Sequence, residues 1–294
     1  MNRLTPVVVS SYPCILGECP VWDVEKKRLF WVDILAGNIH QLHPESGNHS
    51  IFSVGKLTGS IALREGGGLI AALKDGFSEI DTDSGTVGEP IVPDGHPDRN
   101  VFNDGKCDPA GRFWAGSMAP PEFPGTGSLY MLDSNRTVSV KIESVTISNG
   151  MAWTADEKTF YYIDTPAYSI VAFDYHAEDG AIANKREIIK IPAGFGDPDG
   201  MTIDTEGMLW IAFWDGWKIG RWNPISGKLL FTINLPVAKV TSCTFGGENL
   251  DDLYITTARK DLSERELIDQ PLAGATFVVR NCGYSGRPAH RFIG

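Results

Sequence analysis

The repeating pattern of this chain is clearest in the stretch Asp197-Pro198-Asp199-Gly200-Met201-Thr202-Ile203-Asp204. An acidic side chain comes directly before a glycine, an apolar run typical of a β-strand follows, and a second strand is predicted at 207–212 after a turn. The same layout occurs fifty residues earlier, where Ser148-Asn149-Gly150-Met151-Ala152-Trp153 leads through a turn into the strand-like run 160–164. Asn149 and Asp199 therefore hold equivalent places in two copies of one unit.

The second strand of this unit reveals its other copies. Each copy is short, rich in β-branched or aromatic residues, and preceded by turn residues. The copies cover residues 28–33, 68–72, 111–116, 160–164, 208–212 and 252–256. A third strand-like run and, in most copies, a fourth follow, whereas no stretch of a dozen residues shows the apolar period of a helix.

Aligning the first strands places one residue of each copy in register: Glu18, Gly59, Asp104, Asn149, Asp199 and Thr241. The successive gaps of 41, 45, 45, 50 and 42 residues are typical of four-stranded propeller blades. We predict an all-β fold, a six-bladed β-propeller with four-stranded blades, that occupies residues 1–294 as a single domain. The sixth copy lacks a clear fourth strand, and an extended segment near a terminus, such as 7–10 or 290–292, is expected to complete it and close the ring.

Bulk properties exclude several classes of function. The chain of 294 residues has a net charge of −11, which argues against a nucleic-acid partner because phosphate binding needs clustered cations. It has no apolar run long enough for a membrane span and no apolar core of a signal peptide, so we expect a cytoplasmic location. Its five cysteines lack a Cys-x-x-Cys pair, which favours reduced, mostly buried thiols and leaves a bridge between Cys14 and Cys19 open.

The six register positions are where we expect chemistry, because the starts of the innermost strands of a propeller lie around one mouth of its channel. Five of the six carry a side-chain oxygen and three of these are acidic, which is costly unless a cation neutralises them. Such ligands favour Ca²⁺, Mg²⁺ or Mn²⁺, although an all-oxygen site also accepts Zn²⁺ or Fe²⁺. Asp-Gly and Asn-Gly are individually ordinary turn dipeptides; their common register in several blades favours one divalent metal site.

Five motifs resemble, in the same order, the SMP-30/gluconolactonase family over nearly the whole chain. They are Leu16–Trp22, Phe102–Arg112, Ile147–Trp153, Pro198–Met201 and Thr241–Gly247. The resemblance implies a six-bladed propeller that uses a divalent metal to hydrolyse sugar lactones, such as gluconolactone or a pentonolactone, to the aldonic acid.

Carried over position by position, the resemblance implies metal ligands at Glu18, Asn149 and Asp199. It implies that Asp199 is also the general base. It further implies that Asn103 contacts the substrate and that Asp104 holds a metal-bound water.

One position departs from the family pattern. Many members have an arginine that contacts the sugar where this chain has Val101. Arg99 lies two residues earlier, on the same face if the segment is extended, and Glu122 is the candidate for a second sugar contact. The resemblance therefore leaves the choice of sugar open.

Two other functions remain open at this stage. The same scaffold and metal could serve a phosphotriester or organophosphate hydrolase, or the protein could be a Ca²⁺-binding regulatory propeller without catalytic activity. In each case we expect a small-molecule or ionic ligand, no nucleic acid, no membrane, and a monomer or weak dimer.

Overall fold

The structure is a computed structural model that describes residues 4–294, and its strands form six antiparallel sheets. The innermost strand of each sheet contacts the innermost strands of its two neighbours, which closes the sheets into a ring. The predicted six-bladed β-propeller is confirmed. We call the end of the central channel where the inner strands begin the upper mouth, and the end where they finish the lower end.

The first three blades follow the predicted order from the centre outwards. Blade 1, which follows the N-terminal strand β1 (Val7–Ser10), contains β2 (Gly17–Asp23), β3 (Arg28–Asp33), β4 (Asn38–His43) and β5 (Asn48–Ser53). Blade 2 contains β6 (Thr58–Leu63), β7 (Leu69–Leu73) and β8 (Gly76–Ile80). Blade 3 contains β9 (Val101–Cys107), β10 (Phe113–Met118), β11 (Gly127–Leu132) and β12 (Val138–Val145).

The remaining blades repeat this order. Blade 4 contains β13 (Ser148–Trp153), β14 (Thr159–Asp164), β15 (Ser169–His176) and β16 (Ala181–Lys190). Blade 5 contains β17 (Asp197–Ile203), β18 (Leu209–Trp214), β19 (Lys218–Asn223) and β20 (Lys228–Asn234). Blade 6 contains β21 (Val240–Gly246), β22 (Asp252–Thr257) and β23 (Thr276–Val279), with the short helix α1 (Glu264–Asp269) between its last two strands.

Blade 2 is less regular than the others at its outer edge. Its sheet has three strands, and the place of a fourth is taken by residues 87–91. These residues meet β8 through two isolated antiparallel bridges, Ile80 to Val87 and Phe77 to Ile91. The outer edge of β8 is therefore covered without a continuous strand.

The ring is closed by the N-terminal segment. Strand β1 pairs antiparallel with β23, with Val7 opposite Val278, and so supplies the outer strand of blade 6. This confirms the first of the two terminal segments named from the sequence. The C-terminal segment instead crosses the lower end, where Phe292 bridges Arg64 in parallel and its side chain is buried between blades 2 and 3.

The core lies between the blades and is built largely from the second strands. Trp31, Trp114 and Trp210 are completely buried there, as expected for packing residues. Trp210, for example, contacts Phe245 of blade 6 edge to face, with 5.6 Å between the ring centroids. No helix formed by residues 4–294 is long and apolar enough to cross a membrane.

Candidate metal centre

Every inner strand has a β-bulge at its register position. The pairing with the second strand shifts between Glu18 and Val21 in blade 1 and between Pro198 and Met201 in blade 5. The other four blades show the same irregularity at the same place. A bulge bends the strand and redirects the side chains beside it, so six bulges at one level form a distinct layer around the axis.

The glycines that follow three register positions are needed for packing. Gly105, Gly150 and Gly200 lie inside β9, β13 and β17 rather than in turns. A Cβ atom on Gly200 would lie 2.2 Å from Ser242 Oγ, and one on Gly150 would lie 2.5 Å from Met201 Cβ. Neighbouring inner strands therefore approach too closely at this layer for any larger residue.

Three carboxyl groups are buried at this layer without a cationic partner. Glu18, Asp104 and Asp199 are only 4%, 5% and 7% exposed. Glu18 accepts a hydrogen bond from the backbone nitrogen of Cys19 at 2.9 Å, and Asp104 accepts one from Gly105 at 2.8 Å. Among residues 4–294, no Lys, Arg or His forms an ion pair within 4.0 Å with any of the three.

Burial and mutual repulsion disfavour the charged forms of these groups. Burial raises the pKa of Glu18 well above its usual range, and the negative charges of Asp199 and Asp104 raise it further. Burial also raises the pKa of Asp199 well above its usual range, and the negative charge of Asp104 raises it further. Burial also raises the pKa of Asp104, with Lys106 opposing the shift. A positive charge placed among the three would relieve this repulsion.

Asn149 supplies a neutral oxygen at the same layer. Its Nδ2 donates to Thr165 Oγ1 at 2.9 Å, and that hydroxyl in turn donates to the Pro198 carbonyl at 2.8 Å. These bonds orient the amide, while its Oδ1 is buried and has no hydrogen-bond partner within residues 4–294. A buried acceptor that lacks a donor costs about 1–3 kcal/mol, so this oxygen fits a ligand that a bound cation would satisfy.

The other two register positions do not contribute ligands. Thr241 Oγ1 donates to the Gly17 carbonyl at 2.6 Å and contacts Thr256 Oγ1 at 2.9 Å, so its hydroxyl joins blades 6 and 1. A Cβ atom on Gly59 would lie 2.4 Å from the Phe102 carbonyl. The six positions found in the sequence therefore reduce to three carboxylates and one amide.

The proposed metal ligands combine carboxylates with an amide oxygen. No three His, Cys, Asp or Glu side chains within residues 4–294 come together as a group that could hold a metal ion. A metal bound by Glu18 and Asp199 would therefore need a third protein ligand of another type. Asn149 Oδ1 meets this requirement because it is oriented, buried and without a donor, and hard divalent cations accept amide oxygens.

The residues expected to contact a substrate fall into two groups. Asn103 is buried beside the centre, and its Nδ2 donates to the carbonyl of Ser148, the neighbour of Asn149, at 2.9 Å. Val101 is half-buried at the start of β9, where it pairs with Met118.

Arg99 and Glu122 belong to the second group, because both are exposed on loops at the upper mouth. The Arg99 guanidinium lies over the Phe123 ring at 4.7 Å. Asn103 is thus buried beside the centre, whereas Arg99 and Glu122 are exposed.

Below the carboxylate layer lies a cavity of about 100 Å³ that is lined by Asp104 and by three thiols, Cys19, Cys107 and Cys243. Residues 287–290 of the C-terminal segment close it from the lower end. Burial raises the pKa of Cys243 to about 12, so this thiol stays protonated and inert. All five cysteines are buried and free, so the bridge between Cys14 and Cys19 left open by the sequence is not formed.

Comparison with known proteins agrees with this architecture. A family model described as "SMP-30/Gluconolactonase/LRE-like region" matches residues 16–259. Regucalcin from Gallus gallus is 40% identical over 284 residues, covering 95% of each chain.

Two solved structures have the same fold along nearly the whole chain. One is a calcium-binding protein, regucalcin, from Agrobacterium tumefaciens, with 25% identity, a TM-score of 0.91, and coverage of 97% of this chain and 96% of that one. The other is a luciferin-regenerating enzyme with 32% identity, a TM-score of 0.89, and coverage of 98% and 100%.

Proposed function

The chain belongs to the SMP-30/gluconolactonase/LRE-like family, and from this premise we propose that it is a divalent-metal-dependent hydrolase that opens sugar lactones to aldonic acids. The observation that carries the proposal is the buried, unpartnered Oδ1 of Asn149 in a layer of three carboxylates without cations. Glu18, Asn149 and Asp199 are the proposed ligands. Asp104, in the same layer, is the proposed partner of a water molecule.

The proposed reaction is the hydrolysis of a cyclic ester. A divalent cation, when bound, would polarise the lactone carbonyl and lower the pKa of a water molecule. Asp199 would accept the proton of the attacking water, because it is a carboxyl group that forms no ion pair with a Lys, Arg or His in the described part of the chain. General bases of this kind contribute about 10²–10⁴-fold to the rate.

Asn103 and the surrounding charge complete the mechanism. Asn103 Nδ2 is held by the Ser148 carbonyl, so its Oδ1 can accept a hydrogen bond from a substrate hydroxyl. Ring opening converts the neutral lactone into an anion, which the nearby carboxylates repel. Product release is therefore favoured by the same charges that hold the metal.

The proposal is tested by a hydrolysis screen that starts from chelated protein and follows acid release with a pH indicator. Gluconolactone, xylonolactone, arabinonolactone and galactonolactone are each combined with Ca²⁺, Mg²⁺, Mn²⁺, Zn²⁺ or Fe²⁺. We expect turnover that requires added metal and that favours some of these sugars over others. Hydrolysis of a phosphotriester, with no activity on any lactone, would indicate the alternative hydrolase instead.

A second candidate function has support from one relative. The Agrobacterium tumefaciens structure is described as a calcium-binding protein, and an all-oxygen ligand set also suits Ca²⁺. A purely Ca²⁺-binding propeller would bind Ca²⁺ at the same centre and would hydrolyse neither lactones nor phosphotriesters with any of the five metals. The same screen, combined with Ca²⁺ titration calorimetry, separates these outcomes.

A further inference from the structure

Lys239 is a buried lysine at the upper mouth, on the side of blade 6. It lies two residues before the register position Thr241 and is only 6% exposed. Its carbonyl accepts a hydrogen bond from Ala258 at 3.0 Å, and Ala258 bridges Leu16. Since Leu16 is two residues before Glu18, the backbone of Lys239 lies beside the strand that carries a proposed metal ligand.

The side chain of Lys239 extends towards blade 5. Its Nζ lies over the Trp214 ring, 4.5 Å from the centroid, a distance typical of a cation–π contact. Trp214 pairs directly with Asp197, which is two residues before Asp199. The ammonium group therefore contacts the end of the strand that pairs with the start of β17, the strand that carries Asp199.

The hydrogen bonds of this ammonium are incomplete. It has three N–H groups; it donates a hydrogen bond to Asp215 Oδ2 at 2.9 Å, and Asp215 Oδ1 lies 2.8 Å from Nζ in the same ion pair. One N–H is therefore left without an acceptor among residues 4–294. Because Lys239 is buried while Asp215 is 56% exposed, water satisfies the carboxylate far more readily than the ammonium, and a third acceptor would stabilise the buried charge.

Three other cations near the channel have contacts of their own. Arg99 lies over the Phe123 ring at an exposed loop. Lys106 donates to the Met201 carbonyl at 2.8 Å and lines the cavity below the carboxylate layer. Lys260 lies 5.9 Å from the centre of the Trp214 ring but is paired with Asp261 and is partly exposed.

We propose that Lys239, positioned by Trp214 and Asp215, determines specificity by donating a hydrogen bond to a hydroxyl oxygen of the lactone. The substrate class is then polyhydroxylated lactones, bound between the neutral amide of Asn103 on one side and a cation from blade 6 on the other. The inference rests on the proposed function. Many family members have a sugar-contacting arginine at the position of Val101 in blade 3. In this chain Lys239, from blade 6, would supply the cationic contact instead.

The test compares two lactones that differ only in hydroxyl groups and the hydroxymethyl group: gluconolactone and unsubstituted δ-valerolactone. Lys239→Met removes the ammonium and keeps the apolar stem. We expect kcat/KM for gluconolactone to fall about 10- to 100-fold, mainly through KM, as for a lost hydrogen bond to a charged group. The value for δ-valerolactone should stay within about twofold, since that substrate offers no hydroxyl to bind.

Lys260→Met is the matched control, because it removes an ammonium near the same Trp214 ring that is partly exposed to water rather than buried, and it should leave both values unchanged. Lys239→Gln, which keeps a polar side chain, is the second variant if Lys239→Met does not fold, and it should show the same selective loss. An equal loss on both lactones, or no loss on either, would overturn the role of Lys239 while leaving lactone hydrolysis intact. Failure of the parent protein to hydrolyse either lactone would overturn the proposed function and this inference together.

Discussion

The inner strands of the propeller carry buried carboxylates at both ends, and the two sets differ in their partners. At the lower ends of blades 1, 3 and 5, Asp23, Asp108 and Asp204 each pair with an arginine. At the upper mouth, Glu18, Asp104 and Asp199 form no ion pair with any arginine among residues 4–294. Because both sets are almost fully buried, burial alone does not distinguish a structural carboxylate from a functional one.

Asp108 illustrates the lower set. It accepts hydrogen bonds from Arg112 Nε at 2.7 Å, from Trp114 Nε1 at 2.8 Å and from Tyr175 Oη at 2.8 Å. Asp204 has the same kind of partners, with Trp210 Nε1 at 2.9 Å and Arg221 Nε at 2.8 Å. These carboxylates have their hydrogen-bond partners within the protein, so they need no ligand. They tie the strands of a blade together and, through Tyr175, join blade 3 to blade 4.

The polar groups of the upper set lack partners that a bound cation would supply. Its carboxyl groups have few hydrogen-bond donors and raised pKa values, and Asn149 Oδ1 has no donor among the residues that the structure describes. The difference indicates that the upper layer is held in a costly arrangement by the surrounding blades, as is typical of functional sites. The following predictions test this distinction.

The largest effect is expected at Asp199. Asp199→Asn retains an oxygen for the metal but removes the proposed base, so turnover of gluconolactone should fall about 10²–10⁴-fold while metal binding persists. Asp199→Ala should lose both metal and activity. Initial rates in the pH-indicator assay and calorimetric titration measure the two properties, and a parent-like rate for Asp199→Asn would contradict the assignment of the base.

The next largest effect should be a loss of stability at the lower end. Asp108→Ala leaves the buried Arg112 guanidinium without its carboxylate partner, which typically costs about 3–5 kcal/mol. Urea unfolding measures this loss. The folded fraction should bind metal as the parent does, and a selective loss of metal affinity with unchanged stability would mean that the two ends do not differ as described.

Removal of the metal should have an intermediate effect. At a free metal concentration of about 100 times Kd, binding stabilises the folded state by about 2.7 kcal/mol, so a chelator should lower the melting temperature of the parent by several degrees. Differential scanning fluorimetry with and without chelator measures the shift. If no divalent cation in the hydrolysis screen shifts the melting temperature, the upper layer is not a metal site.

The smallest effect is expected for Glu18→Gln. Removing one ligand charge should weaken metal binding about tenfold or more. Unlike Asp108→Ala, this change should not destabilise the metal-free protein, because it removes a carboxylate whose charged form is disfavoured by burial and by its neighbours. A large loss of metal-free stability in urea would show that Glu18 belongs to the structural set after all.

The sequence predicted the fold well because its signals are local and repeated. Short aromatic strands after turn residues mark each blade. The missing strand of the last copy led to two terminal segments, 7–10 and 290–292, of which the first closes the ring. The irregular edge of blade 2 escaped detection, because residues 87–91 lack a continuous strand pattern. The path of the C-terminal segment was also missed, since its contacts with Arg64 and with the cavity depend on the finished ring.

The candidate site was predicted as a layer of oxygen-bearing residues, but not in detail. The sequence could not show that Thr241 is used between blades, because that depends on the distance to the Gly17 carbonyl. It could not show the six bulges or the unpartnered oxygen of Asn149 either. The lower carboxylates had a weak local signal, since Asp108 precedes its partner Arg112 by four residues, whereas Lys239 and Trp214 meet only across two blades.

The most direct test of the distinction between the two ends is the anomalous diffraction of a crystal soaked in Mn²⁺. We predict one strong peak at the upper layer, at about 2.0–2.6 Å from carboxylate oxygens of Glu18 and Asp199 and from Asn149 Oδ1, with none at Asp108 or Asp204. A peak at the lower carboxylates or in the thiol-lined cavity, or no peak at the upper layer, would contradict the account.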